Sequence, residues 1–220
     1  MPLTVAGKTI ARVSVIDDDK DGREGLGFTI EDLQLQSVLE EAPDQDVGVF
    51  VSNLANRADA VLCDYHLGKH RYASFNGDLV VAECYKKHIP AVLCTAFTDF
   101  DITLMRSRRR DIPALLRTNE ADPDLITEGW QRCVEEFQGQ FRPDRRPWRA
   151  LIRVDEVVKD ERYFYAIVPA WNPREKVRLM FQDVDPEIHP LLEEGKRLHA
   201  QVNTGALSHE DLYFHSWEKQ

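Results

Sequence analysis

Five side chains at four places in the first 120 residues could build a phosphoryl-transfer site: Asp17 and Asp18 of the acidic run Asp17-Asp18-Asp19, then Asp64, Thr95 and Arg117. Carboxylates brought together repel unless a cation neutralises them, and a set of hard oxygen ligands that keeps several waters suits Mg²⁺. A carboxylate within such a cluster can also act as a nucleophile toward a phosphoryl group, giving an aspartyl phosphate. A hydroxyl and a fixed cation beside it would hold the transferred oxygens. Taken singly, these residues read as solvated turns, helix caps and polar strand ends. Their joint occurrence in this order carries the argument.

The elements that must position them are apolar runs, and each run stops at one of these residues. Ile10 to Ile16 is a nearly continuous β-branched stretch ending in the acidic run, Ala60 to Cys63 ends at Asp64, Ile89 to Cys94 at Thr95, and Ile112 to Leu116 at Arg117. Continuous apolar runs suit strands buried on both faces of a parallel sheet. Leu35 to Leu39 is a weaker strand. Between the strands, Gly22 to Leu33, Val47 to Asn56, Asp78 to Lys87 and Pro123 to Phe137 carry apolar residues at helical spacing, the last with Asp122 as its N-cap and Pro123 at its first position. Alternating strands and helices predict an α/β fold with a doubly wound five-stranded parallel sheet of flavodoxin-like topology. Ligands of such sheets gather at the carboxyl ends of the strands.

Near residue 140 the pattern changes. The chain reads as a domain over 1–139, a proline-punctuated polar linker over 140–147, and a small all-β, barrel-like domain over 148–220. In the last, five short alternating segments (150–158, 163–168, 176–181, 197–203 and 211–217) are separated by turn signals. Its dense aromatics predict core packing, with a peptide- or ligand-binding face as the sharper alternative. Asp155, Glu156, His199 and His215 have no catalytic spacing, so binding rather than chemistry is expected there.

The chain of 220 residues is 43% hydrophobic and 30% charged, with a formal net charge of -10. That charge argues against nucleic acid as a partner, and residues 144–220, with 12 basic and 14 acidic side chains, are no basic output module. The start lacks a charged segment leading into an apolar one, and no apolar run approaches membrane length, so a cytoplasmic protein with no membrane partner is expected. Cys63, Cys84, Cys94 and Cys133 lack paired spacing and read as buried reduced thiols. A glycine-rich phosphate loop is missing after the first strand, which counts against a dinucleotide site. A dehalogenase-type phosphatase would need a carboxylate two residues beyond Asp64, where His66 stands. His66, His70 and His88 have no transition-metal spacing.

The stretches Val13-Ser-Val-Ile-Asp17-Asp18-Asp19, Val61-Leu-Cys-Asp64-Tyr-His-Leu-Gly68 and Ile89-Pro-Ala-Val-Leu-Cys-Thr95-Ala96-Phe97 resemble the receiver domain of two-component response regulators, over roughly residues 10 to 138. The resemblance implies that Asp64 is the phospho-acceptor and that Asp17, Asp18, Asp64 and the backbone carbonyl of His66 hold Mg²⁺. It makes Thr95 the switch hydroxyl and Arg117 the counterpart of the family's lysine. It also implies a sensor histidine kinase or phosphotransfer protein as donor, and an activity confined to phosphorylation and autodephosphorylation of Asp64 rather than metabolic catalysis. The output would be signalling through a protein partner of the β domain. Two departures stand out: Arg117-Thr118 replaces the usual Lys-Pro, and the loop from Leu67 to Asn76 is long. They keep open a pseudo-receiver that is not phosphorylated; a phosphate sink for a kinase is a further alternative. Arg106, Arg108, Arg109 and Arg110 form one basic cluster on or after the fourth helix. It reads either as solvated or as a surface for a protein partner or a homodimer.

Overall fold

The computed structural model describes residues 2–41, 43, 46–95, 105–117 and 121–219. The chain divides into two compact units, Met1–Phe100 with Asp111–Gln140, and Asp101–Arg110 with Phe141–Gln220. The fourth helix expected ahead of Arg106 falls outside the described residues, as do Ala96, Phe97 and Thr118.

In the first unit a hairpin of β1 (Leu3–Val5) and β2 (Lys8–Ile10) precedes the sheet. It is not legible in the sequence, because its second strand runs directly into the apolar run that begins at Ile10. Its turn residues Ala6 and Gly7 both have positive φ, as a two-residue hairpin turn requires. The elements that follow are β3 (Arg12–Ile16), α1 (Lys20–Asp32), β4 (Gln36–Leu39), α2 (Val47–Arg57), β5 (Ala60–Asp64), α3 (Gly77–Lys86), β6 (Ala91–Thr95), β7 (Ala114–Arg117) and α4 (Pro123–Phe137). The parallel sheet has the order β4-β3-β5-β6-β7. It is the doubly wound, flavodoxin-like arrangement expected from the sequence, with its switch of direction between β3 and β5.

Alternation along the strands supplies two apolar faces. Val13, Val15, Ala60, Leu62, Val92, Cys94 and Ala114 pack with Leu26 and Ile30 of α1 and with Ile126, Trp130 and Val134 of α4. Trp130 is fully buried and its indole N–H donates to the carbonyl of Val61 at 3.0 Å, which ties α4 to the central strand. Helices α2 and α3 pack on each other and on β3, β5 and β6. Asp122 caps α4 by accepting the N–H groups of Asp124 and Leu125 at 2.9 Å, with Pro123 at the first turn as expected. All four cysteines are free and buried.

The second unit is built on an antiparallel sheet of β8 (Trp148–Val158), β9 (Tyr163–Val168), β10 (Asn172–Met180), β11 (Arg197–Val202) and β12 (Phe214–Lys219), in the order β10-β9-β8-β11-β12. One face buries Ile152, Val154, Phe164, Ala166, Leu179, Leu198, Ala200 and Val202 against Val184, Ile188, Leu192 and Leu212. The aromatics do serve the core: Phe214 and Trp217 stack at 5.8 Å, and the Trp217 indole donates to the Asp183 carbonyl. No helix among the described residues is long and apolar enough to cross a membrane.

Two of the four arginines of the basic cluster depart from both expectations, while Arg108 and Arg110 are half-buried. Arg106 and Arg109 lie in a 3₁₀ turn (Arg106–Asp111) and are only 3% and 5% exposed, inside the second unit. Three residues apart in such a turn, their side chains share one side. Arg106 donates to the carbonyls of His209 at 2.7 Å and Leu212 at 3.0 Å, and Arg109 pairs with Asp211 at 2.9 Å. Arg145 is buried too, bonding the carbonyls of Arg109 and Arg110 and lying 4.9 Å from the Tyr213 ring centre. Five donors on a planar group let one arginine satisfy several carbonyls, which is why these charges are tolerated inside.

Candidate functional site

Register places the candidate residues side by side. Ile16 pairs with Cys63, Asp64 with Cys94, and Thr95 with Arg117. Asp17, one residue past β3, therefore lies at the same level as Asp64 at the end of β5. Thr95 follows one strand over and Arg117 the next. The structure brings Asp17, Asp18, Asp64 and Thr95 to one edge, with Arg117 exposed at its far side.

Two glycines permit close approach to this edge. A Cβ on Gly22, in the first turn of α1, would stand 2.7 Å from Asp17 Oδ2. A Cβ on Gly77, at the start of α3, would stand 1.9 Å from the Asp64 carbonyl oxygen and 2.8 Å from Cys63 Sγ. Any larger residue would push the helix starts away from the carboxylates.

The carboxylates are crowded. Asp17 and Asp18 are buried, and Asp64 is half-buried. Burial is the largest cause that raises Asp17 to about 6, with the charges of Asp64, Asp18 and Asp19 adding to it against the N–H bond from Asp19. Burial also raises Asp64 to about 6, with Asp18 adding and the N–H groups of His66 and Tyr65 and the charge of Lys69 opposing. Each carboxylate is engaged by a backbone donor: Asp17 Oδ1 by Asp19 at 2.8 Å, Asp64 Oδ2 by His66 at 2.8 Å, and Asp18 Oδ2 by Lys69. Among the described residues no group of three or more His, Cys, Asp or Glu is placed to hold a metal ion. By type the donors fit a hard divalent cation, since all are oxygens and the carboxylates carry like charge.

Thr95 is 1% exposed, and its hydroxyl has no hydrogen-bond partner among the described residues. A buried unpaired hydroxyl costs about 1–3 kcal/mol, so its retention at a strand end beside the carboxylates is a functional clue. His66 stands half-buried with its ring against Tyr65.

Sequence reasoning missed four residues here. Glu40, past the end of β4, is buried; it accepts the Ser14 hydroxyl at 2.8 Å and pairs with Arg57 at 3.2 Å. Arg23 donates to the Asp17 carbonyl at 2.5 Å. Lys69 and Tyr72 come from the long loop, and Tyr72 donates its hydroxyl to the Glu40 carbonyl. An open depression of about 520 Å³ lies between this loop and the acidic run, lined by Asp18, Asp19, Asp21, Arg23, Glu41 and Tyr72 among others. The one legible hint was the length of the loop.

No protein-family model matches the chain, and no curated protein matches it. Solved structures do. A response regulator receiver domain protein of Clostridium thermocellum is 16% identical, with 58% of this chain and 97% of that one covered and a TM-score of 0.44. The receiver domain of NarL from Mycobacterium tuberculosis is 18% identical over 57% of this chain and 96% of its own, at a TM-score of 0.40. A Francisella response regulator receiver domain is 14% identical over 58% and 98%, at 0.41.

Proposed function

We propose that the chain is a response-regulator-like protein whose first unit accepts a phosphoryl group on Asp64. The observation that carries this reading is the strand register, which sets Asp17, Asp18, Asp64, Thr95 and Arg117 along one carboxyl edge with a buried hydroxyl that has no partner among the described residues. An Asp64 oxygen attacks phosphorus, the bond from phosphorus to the donor's nitrogen or acyl oxygen breaks, and the leaving group departs with that electron pair. The Thr95 hydroxyl donates to a phosphoryl oxygen and Arg117 offsets its charge. Asp17, Asp18, Asp64 and the His66 carbonyl would hold Mg²⁺, which when bound neutralises the carboxylates and the phosphoryl oxygens. The donor is a histidine kinase or phosphotransfer protein, and the second unit carries the signal to a protein partner.

A small acyl phosphate with Mg²⁺ tests the reading. Rapidly quenched protein should gain one phosphoryl mass on the peptide containing Asp64, and Asp64→Asn should gain none, because the amide is a far poorer nucleophile. Mass gain that persists in Asp64→Asn overturns the assignment. A second reading, a pseudo-receiver that is not phosphorylated, is favoured by the N–H bond on each carboxylate and by the lack of a described metal-holding trio. Wild type that stays unmodified at saturating donor and Mg²⁺ would establish it.

A further inference from the structure

The long segment between β5 and α3 is tied to the acidic edge at several points. Lys69 donates its backbone N–H to Asp18 Oδ2 across 51 positions of sequence, whereas Asp17 and Asp64 accept from residues two places on. Tyr72 donates its hydroxyl to the Glu40 carbonyl at 2.5 Å, and its ring lies 5.5 Å from the Arg23 guanidinium that bonds the Asp17 carbonyl. The Ala73 N–H closes the loop on the Leu67 carbonyl at 2.9 Å. Arg71 has a φ of 59°, a conformation that a non-glycine residue keeps only when its surroundings impose it. Glu40, the post to which Tyr72 is fastened, is itself fixed by Ser14 and Arg57.

We infer that Tyr72 is a positioning residue for the acidic site: by pinning the loop to Glu40 it keeps the Lys69 N–H on Asp18 and withholds one oxygen of that carboxylate from a divalent cation. The inference rests on the proposed Mg²⁺ site. Loop docking and cation binding draw on the same carboxylate, so each weakens the other by the same factor.

The test is Mg²⁺ titration of the full chain by calorimetry, for wild type, Tyr72→Phe, Lys69→Pro and the double variant. Tyr72→Phe keeps the ring beside Arg23 and removes the pinning hydroxyl. Lys69→Pro removes the N–H itself, and the preceding Gly68 tolerates a following proline better than a residue with a side chain would. Tyr72→Phe should bind Mg²⁺ roughly fivefold more tightly, the worth of one net hydrogen bond, and Lys69→Pro, which also removes the Lys69 charge near Asp64, at least as much. The double variant should gain little more, since both changes act through Asp18. In wild type, Mg²⁺ should also speed tryptic cleavage after Arg71 severalfold. Equal dissociation constants in all four proteins, or fully multiplicative gains, overturn the positioning role and leave the cation site standing. No Mg²⁺ binding by any of the four overturns the cation site and the inference together.

Discussion

Charge is buried in both units, and it is arranged in opposite ways. At the carboxyl edge of the parallel sheet the burial is like-signed: Asp17, Asp18 and Asp64 crowd one another and a threonine hydroxyl has no described partner. In the antiparallel unit the burial is complementary. Arg106, Arg109 and Arg145 reach carbonyls and Asp211, and Asn203 links the Asp144 and Asp211 carbonyls and accepts the Tyr213 N–H. Burial pushes Asp211 up, but Arg109, the Ser208 hydroxyl and Arg145 together outweigh it and hold that carboxyl below the usual range. Complementary burial specifies a structure; like-signed burial has to be retained for something that structure alone does not need.

The largest effect that could break this contrast is in the second unit. Arg106→Ala should destabilise it by about 3–5 kcal/mol, because the buried Leu212 carbonyl and Asp183 would lose their cation. Urea unfolding followed through Trp148, Trp171 and Trp217 measures it, and a loss below about 1 kcal/mol would mean the cluster is solvated after all. Next is Asp183, a carboxyl in that unit whose pairing is outweighed: burial raises it to about 6 although the Met180 N–H, Arg106 and Arg108 oppose the shift. The folded state thus binds its proton more tightly than the unfolded chain does. Stability from this group is present in acid and is lost as pH rises from about 4 to about 6. Asp183→Asn should flatten that loss and gain about 2–3 kcal/mol above pH 6, read as midpoint shifts at pH 4, 5, 6 and 7.5. A variant that keeps the wild-type slope would assign the pH dependence elsewhere.

What the sequence made legible follows the same divide. The inner strands β3, β5 and β6 are buried on both faces, so they read as unbroken apolar runs, and each ends on or just before the residue that its register brings to the site, whereas the edge strand β4 is half-exposed and reads only weakly. Arg106 and Arg109 were not legible as buried, because a basic run looks solvated by composition and their acceptors, two main-chain carbonyls for Arg106 and the Asp211 carboxylate for Arg109, lie more than 100 positions away. Tyr72 escaped notice for a similar reason: its acceptor is the Glu40 carbonyl, and a main-chain acceptor leaves no residue pattern to read. The hairpin at Leu3–Ile10 turns on Ala6 and Gly7 rather than on a strong turn pair such as Asn-Gly, and its second strand merges with the next run.

A smaller effect sharpens the first half of the comparison. Gly77→Ala puts a methyl group where the Asp64 carbonyl already stands, so α3 or the end of β5 must shift, at about 1–3 kcal/mol of stability. The displacement falls on Asp64, the proposed acceptor, so on that reading phosphoryl uptake should slow as well as stability fall. A variant that loses stability and keeps the wild-type uptake rate would separate α3 from the site.

The smallest expected effect carries the opposite sign to the first. Asp17→Asn keeps an oxygen for the Asp19 N–H and removes one charge from the crowded edge. With chelator present at neutral pH it should raise the stability of the first unit by about 1 kcal/mol, the relief of like-charge crowding at a partly solvated edge. Thermal melts of the full chain followed by circular dichroism would read this as a rise of a few degrees. Added Mg²⁺ should then reverse the order, because wild type keeps three carboxylates for the cation and the variant two. A variant less stable than wild type in chelator would mean that the Asp17 charge is already balanced within the fold, and the distinction between like-signed and complementary burial would fail at the residue where it was drawn.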